Sequence, residues 1–139
     1  MHPSAYLQPL LEAFTLPAVR LVALLALTSA YLQGGLMKLA DFSGAIAEMR
    51  GYGIAPAAPI AAAVILLELA GSALVLSGYY RWAGALALGG FTFAANFIGN
   101  RFWQAPRPER MRVANGFFEH LGLAGGFLLV AWIDLAGPT

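Results

Sequence analysis

Four stretches of the chain stay apolar for about twenty residues at a time: from about Ala18 to Leu39, Ala57 to Gly78, Arg81 to Trp103 and Gly116 to Leu135. Each is bounded by charge, glycine or proline. Crossing a hydrocarbon core about 30 Å thick takes about 20 residues of helix, so the pattern predicts four transmembrane helices. Strands of a membrane barrel are about half that length and alternate in polarity, which these stretches do not.

The polar segments between them set the connectivity. Ahead of Pro17, Leu7, Leu10, Leu11 and Phe14 recur at helical spacing opposite Gln8 and Glu12, so within the N-terminal segment 1–16 a short helix lying in the membrane interface is expected, the alternative being an ordinary frayed amphipathic end. They lack the basic start and unbroken apolar core of a cleaved signal and are expected to be retained; the terminal His2 carries no reading. Residues 17–139 then form one membrane domain. In DFSGAIAEMRGYGIAP, Phe42, Ile46 and Met49 share a helical face before Gly51, Gly53 and Pro56 break the run, which predicts a short surface helix and a turn. The second connection is only Gly78-Tyr79-Tyr80-Arg81, and the third, QAPRPERMRVAN, is the longest polar segment. Short connections make neighbours antiparallel, so the expected fold is all-α: an up-down-up-down bundle of four transmembrane helices with short interfacial helices.

That order places Tyr79, Tyr80 and Trp82 at the same membrane face as Trp132, and Phe102, Trp103, Phe117 and Phe118 at the other. Lys38, Arg50, Arg101, Arg107, Arg110 and Arg112 flank loops one and three, against Arg20 and Arg81 on the opposite side. The positive-inside rule then puts loops one and three in the cytoplasm and both termini outside. Small residues at close-packing spacing, Ala85 and Gly89, Gly90 and Ala94, Gly122 and Gly126, read as seams between helices of the bundle or, alternatively, of a homo-oligomer.

Composition agrees and removes other classes. Hydrophobic residues make up 60% of the 139 positions and charged ones 11%, less than half a soluble domain's usual share of about a quarter. A net charge of +1 gives no footprint for nucleic acid. The absence of cysteine excludes disulfides, thiolate chemistry, iron–sulfur ligation and covalent haem attachment.

Ionisable residues inside spans cost about 2.5–3.5 kcal/mol each on insertion scales, so each needs a partner or a task. Counting depth from loops one and three at 1.5 Å per residue puts Glu68 about 18 Å deep and Arg20 about 27 Å away, close enough for a structural ion pair between spans one and two. By the same count Gln33, Lys38, Asn96, Asn100, Arg101, Glu119 and His120 gather within about 10 Å of that face. Asn96 and Asn100, four apart, stack on one helix face, and Gly34 and Gly35 leave room for a ligand or a neighbouring helix. Gln33, Lys38, Glu68, Asn96, Asn100, Glu119 and His120 are therefore candidate ligand-binding residues, the alternative being hydrogen bonds that only hold the helices together. His120 is the one histidine of the apolar body and is able to relay a proton. Adjacent residues on a helix turn about 100° apart, so Glu119 and His120 do not form a metal pair, and no metal is expected.

QGGLMKLADF at the end of span one, the Gly-x-Gly-x-x-Pro turn, LLELAGSALVLSG followed by Tyr-Tyr-Arg, and GGFLLVA closing span four occur in an order that resembles the DoxX family of small four-helix membrane proteins. The resemblance covers roughly residues 17 to 135. It implies a bacterial inner-membrane protein, and Arg20, Lys38, Glu68 and Arg81 match the family's recurrent charged positions. Members are named for a subunit of a thiosulfate:quinone oxidoreductase, others are described in membrane-associated oxidoreductase complexes, and relatives act as accessory factors. NGFFEHLGL departs from the family's more apolar pattern, so Glu119 and His120 belong to this chain. The leading expectation is a small subunit of a membrane oxidoreductase system that cradles a quinone-like lipophilic molecule, without covalent cofactor, among other membrane subunits. A non-catalytic anchoring subunit is the rival, and a small-solute or proton pathway towards Glu68 a third.

Overall fold

The computed structural model describes residues 4–137; His2 and the outermost ends of both expected segments lie outside them. Six helices follow one another: α1 Ser4–Ala13, α2 Pro17–Ala40, α3 Phe42–Gly51, α4 Ala57–Ser77, α5 Arg81–Gly99 and α6 Arg107–Ala136, with a 3-10 turn at Phe102–Gln104 between the last two. Among the described residues four stretches, built on α2, α4, α5 and α6, are long and apolar enough to cross a membrane. α1 keeps Leu7, Leu10, Leu11 and Phe14 exposed rather than packed on the bundle.

Local chemistry sets the boundaries. Pro17 starts α2 with the φ a first helical residue needs. The Asp41 carboxylate caps α3, accepting from the Gly44 amide at 3.0 Å. Gly78 ends α4 in the left-handed conformation at φ 83°, and Arg81 folds back so that its Nε donates to the Val75 carbonyl at 2.7 Å, satisfying a terminal acceptor of α4. The turn then passes directly into α5.

Neighbours in sequence are neighbours in space: α2 packs on α4, α4 on α5 and α5 on α6, while α6 meets α2 lightly, through the edge-on ring pair Tyr31–Phe127 and Leu27 over Gly126. Inward positions recur every three or four residues, as in Leu24, Thr28, Tyr31 and Gly35 of α2 or Ala61, Ile65, Glu68, Ser72 and Val75 of α4. Leu24, Tyr31, Val75, Ala85, Leu88, Phe127 and Ala131 form the main core; Ala45 and Met49 of α3 make a smaller one with Ala61. Polarity is arranged inside out relative to a soluble protein. Leu25, Leu36, Leu66, Leu86, Leu128 and Leu129 are exposed, whereas Thr28, Glu68, Ser72, Thr92 and Asn96 are buried. The aromatic sets divide as expected. Trp82 joins α6 through its backbone N–H to Asp134 Oδ2 at 3.0 Å, and Phe102 and Trp103 meet Phe117 edge to face, ring centroids 5.3 and 5.7 Å apart, at the far end.

Two expectations change. Most of the supposed third loop is helix, because α6 begins at Arg107, nine residues before Gly116. Arg107, Glu109, Arg110, Met111 and Arg112 are good helix formers, Pro108 sits in the first turn, and only their polarity disguised them. The small-residue seams also divide. Ala85 and Gly89 are buried against α6, where a Cβ on Gly89 would stand 3.0 Å from Phe127 Cβ. Gly90, Ala94 and Gly122 are exposed instead, and Gly126 is half-buried. The tightest helix crossing lies between α4 and α5, where a Cβ on Gly84 would stand 2.6 Å from the Gly71 carbonyl oxygen.

Candidate functional site

Lys38 of α2 and Glu68 of α4 form an ion pair inside the bundle, Nζ to Oε1 2.5 Å, with 22% and 4% of their side chains exposed. Gly34 and Gly35 make this possible. A Cβ on Gly34 would stand 2.8 Å from Glu68 Oε2, and one on Gly35 2.7 Å from Leu69 Cδ2, so two residues without side chains admit α4 and its carboxylate. The expected Arg20–Glu68 pair is thereby corrected. The depth count had set the start of α4 level with Lys38. With Gly34 beside Glu68, Lys38 lies about 6 Å along α2 while the start of α4 lies about 16 Å away, a stagger of about 10 Å that α3 fills. Arg20 is about 21 Å from Gly34 in the other direction, out of reach.

Two adjoining cavities meet at Lys38. The smaller, about 240 Å³, lies among Tyr31, Gly34, Lys38, Glu68, Thr92 and His120. The larger, about 460 Å³, is mostly apolar, bounded by Met49, Ile60, Val64, Ile98 and Tyr52, with Glu48 and Asn100 at its edge. Lys38, Phe91, Ala95 and His120 border both. His120 Nδ1 lies 2.7 Å from the Gly116 carbonyl oxygen. A carbonyl only accepts, so in the neutral ring Nδ1 carries the proton and Nε2 keeps a lone pair. Lys38 gives one N–H to Glu68 and retains two. The shared wall thus offers hydrogen-bond donors and an acceptor on an otherwise apolar surface.

The other candidates fall elsewhere. Asn96 is 1% exposed; its Nδ2 donates to the Phe117 carbonyl at 2.8 Å and its Oδ1 accepts from Asn100 Nδ2 at 2.8 Å, so the stacked amides tie α5 to α6. Asn100 still borders the larger cavity. Gln33 is exposed, its amide reaching Met37 Sδ at 3.5 Å, and Glu119 is exposed and borders neither cavity. Each stands one residue before a position that borders a cavity, Gly34 and His120, and is turned about 100° from it. Tyr31 and Thr92 complete the smaller cavity. Thr92 Oγ1 donates to the Leu88 carbonyl at 2.7 Å, so the Tyr31 hydroxyl donates to Thr92. The signal for Tyr31 was its spacing, three before Gly34 and seven before Lys38, on one face of α2.

Fold and site together define a small four-span helical membrane protein whose first two spans are joined by a buried Lys–Glu pair. The chain belongs to the DoxX family, whose model matches residues 18–101. That stretch includes Arg20, Lys38, Glu68, Arg81, Asn96 and Asn100 and stops short of His120. The chain is also similar to the inner membrane protein YphA of Escherichia coli (strain K12), 25% identical over 123 residues that cover 88% of this chain and 85% of the relative. No solved structure matches it.

Proposed function

We propose that the chain is a small bacterial inner-membrane subunit of an oxidoreductase system that binds a quinone-like lipophilic molecule in the paired cavities. The observation that carries this reading is the wall shared by Lys38 and His120. Two free N–H groups of Lys38 suit the carbonyl oxygen of an oxidised ring, and Nε2 of His120 suits the hydroxyl of a reduced one. Glu68 orients the Lys38 side chain, Tyr31 and Thr92 close the polar end, and the larger cavity takes an apolar body. A bound quinone would supply two-electron carriage. The chain's own residues would place its head and accept or return a proton at His120 Nε2. A second reading, an accessory subunit that anchors a larger membrane complex, has its own support. An apolar groove of about 570 Å³ between α5 and α6, lined by Gly89, Gly90, Phe93 and Gly125 among others, opens to the lipid where a partner helix would seat.

Purification in mild detergent followed by mass spectrometry of the organic extract tests both. A quinone in the extract, and a thermal shift with a short-chain ubiquinone analogue that weakens at least tenfold in His120→Ala, are expected. His120 is exposed and bonds only within its own helix, so the fold should tolerate that change. An extract without quinone and no thermal shift would sink the reading, and a stoichiometric protein partner in their place would favour the second.

A further inference from the structure

The opposite end of the bundle holds charges that the quinone reading leaves unused. Arg20 in the first turn of α2, Arg81 at the first position of α5 and Asp134 in the last turn of α6 border one cavity of about 380 Å³, whose remaining wall is largely Leu24, Val130 and Ile133. Each charged group is incompletely used within the chain. Arg81 donates from Nε to the Val75 carbonyl and keeps its terminal nitrogens; Asp134 Oδ2 accepts from the Trp82 amide, leaving Oδ1. The Arg20 side chain makes no hydrogen bond or ion pair among the described residues, and neither guanidinium pairs with Asp134. Opposite charges therefore face a common space without neutralising one another.

Guanidinium groups match the oxygens of a phosphate, and a carboxylate matches an ammonium. A molecule carrying both charges a short distance apart would satisfy all three residues. Position narrows the class further. The cavity lies at the helix ends, level with Tyr79, Tyr80 and Trp132, where lipid headgroups sit, and its apolar wall continues along α2 and α6 towards the hydrocarbon. We propose that this cavity binds the headgroup of an aminophospholipid, with the phosphate on Arg20 and Arg81, the ammonium on Asp134, and an acyl chain along Leu24, Val130 and Ile133. Soluble phosphoethanolamine shares the charged chemistry and lacks the chain.

The full chain in mild detergent would be titrated with phosphatidylethanolamine, phosphatidylglycerol and soluble phosphoethanolamine, reading lipid retention by native mass spectrometry and the thermal midpoint. Phosphatidylethanolamine should bind at least tenfold more tightly than phosphatidylglycerol. Arg20→Gln, at an exposed side chain without a partner, should weaken both lipids about tenfold. Asp134→Asn, which keeps an acceptor for the Trp82 amide, should abolish the preference for phosphatidylethanolamine while sparing phosphatidylglycerol. Equal binding of the two lipids to the unmodified chain, or lipid binding unchanged in Arg20→Gln, would overturn the proposal. A soluble phosphoethanolamine shift as large as the lipid's would overturn its assignment to a lipid.

Discussion

Glu68 is a carboxylate in the middle of a membrane-crossing helix, and it is tenable there because Lys38 reaches it from the next helix and Gly34 gives it space. Burying two charges costs several kcal/mol per ion, which their attraction offsets only when the geometry is close. Removing one partner is worse, since the other remains buried and uncompensated. Lys38→Met is therefore expected to destabilise the protein by about 3 kcal/mol, and Lys38→Met combined with Glu68→Leu to recover most of that loss. Reversible unfolding in mixed micelles measures both; a double variant no more stable than the single one would contradict this account. Both residues stand out in the sequence as charges that lipid penalises, but their pairing does not. Depth counted from a loop assumes that helices begin level, whereas the register of α2 on α4 is set by which residues lack a side chain, Gly34 and Gly35. Tyr31 escaped notice because a tyrosine in an apolar run reads as bulk, and only its three-dimensional neighbour Thr92 reveals the hydroxyl's role.

At the level of helices, hydropathy made the existence and length of the spans legible, because the bilayer fixes both. Which face of each helix turns inward was less legible. α4 is apolar almost all round, so apart from Glu68 and Ser72 only the pairing of small residues across a crossing distinguishes its buried side. The start of α6 was hidden for the converse reason: hydropathy reports on lipid, and the residues from Arg107 to Asn115 are helical without being apolar. Gly84 and Gly90 separate packing from propensity. Alanine gains about 1 kcal/mol of helix propensity over glycine at either position. At Gly84 that gain meets the backbone of Gly71 at 2.6 Å and Leu74 Cβ at 2.8 Å, and overpacking of a rigid contact costs about 1–3 kcal/mol. Gly84→Ala should thus lower the thermal midpoint in detergent, while Gly90→Ala, with nothing within 4 Å of the added methyl, should leave it unchanged or raise it. The reverse order would mean that α4 and α5 are not in van der Waals contact there.

The whole molecule has few charges, and their placement carries its orientation. Six of its eight basic residues flank the α2–α4 and α5–α6 connections, so those ends are expected to face the cytoplasm. Because the chain contains no cysteine, single substitutions test this directly. In spheroplasts, Tyr79→Cys should react with a membrane-impermeant maleimide and Glu109→Cys should react only after lysis; the opposite pattern would invert the topology. The glycine pair that seats Glu68 also has a mechanical consequence. Sliding α2 by one turn in either direction would bring Ala30 and Tyr31, or Met37 and Lys38, against the carboxylate and Leu69, where even a methyl would force both side chains to move. Gly71 and Gly84 lock α4 to α5 in the same way, and Gly89 sits close beneath Phe127. The four spans thus form a row of ratcheted joints with one soft seam, where α6 meets α2 through a ring edge and a leucine. That seam also walls the smaller cavity, between Tyr31, Gly34 and Lys38 of α2 and His120 and Leu123 of α6, so the cavity's most lightly packed side is the one between the first and last spans.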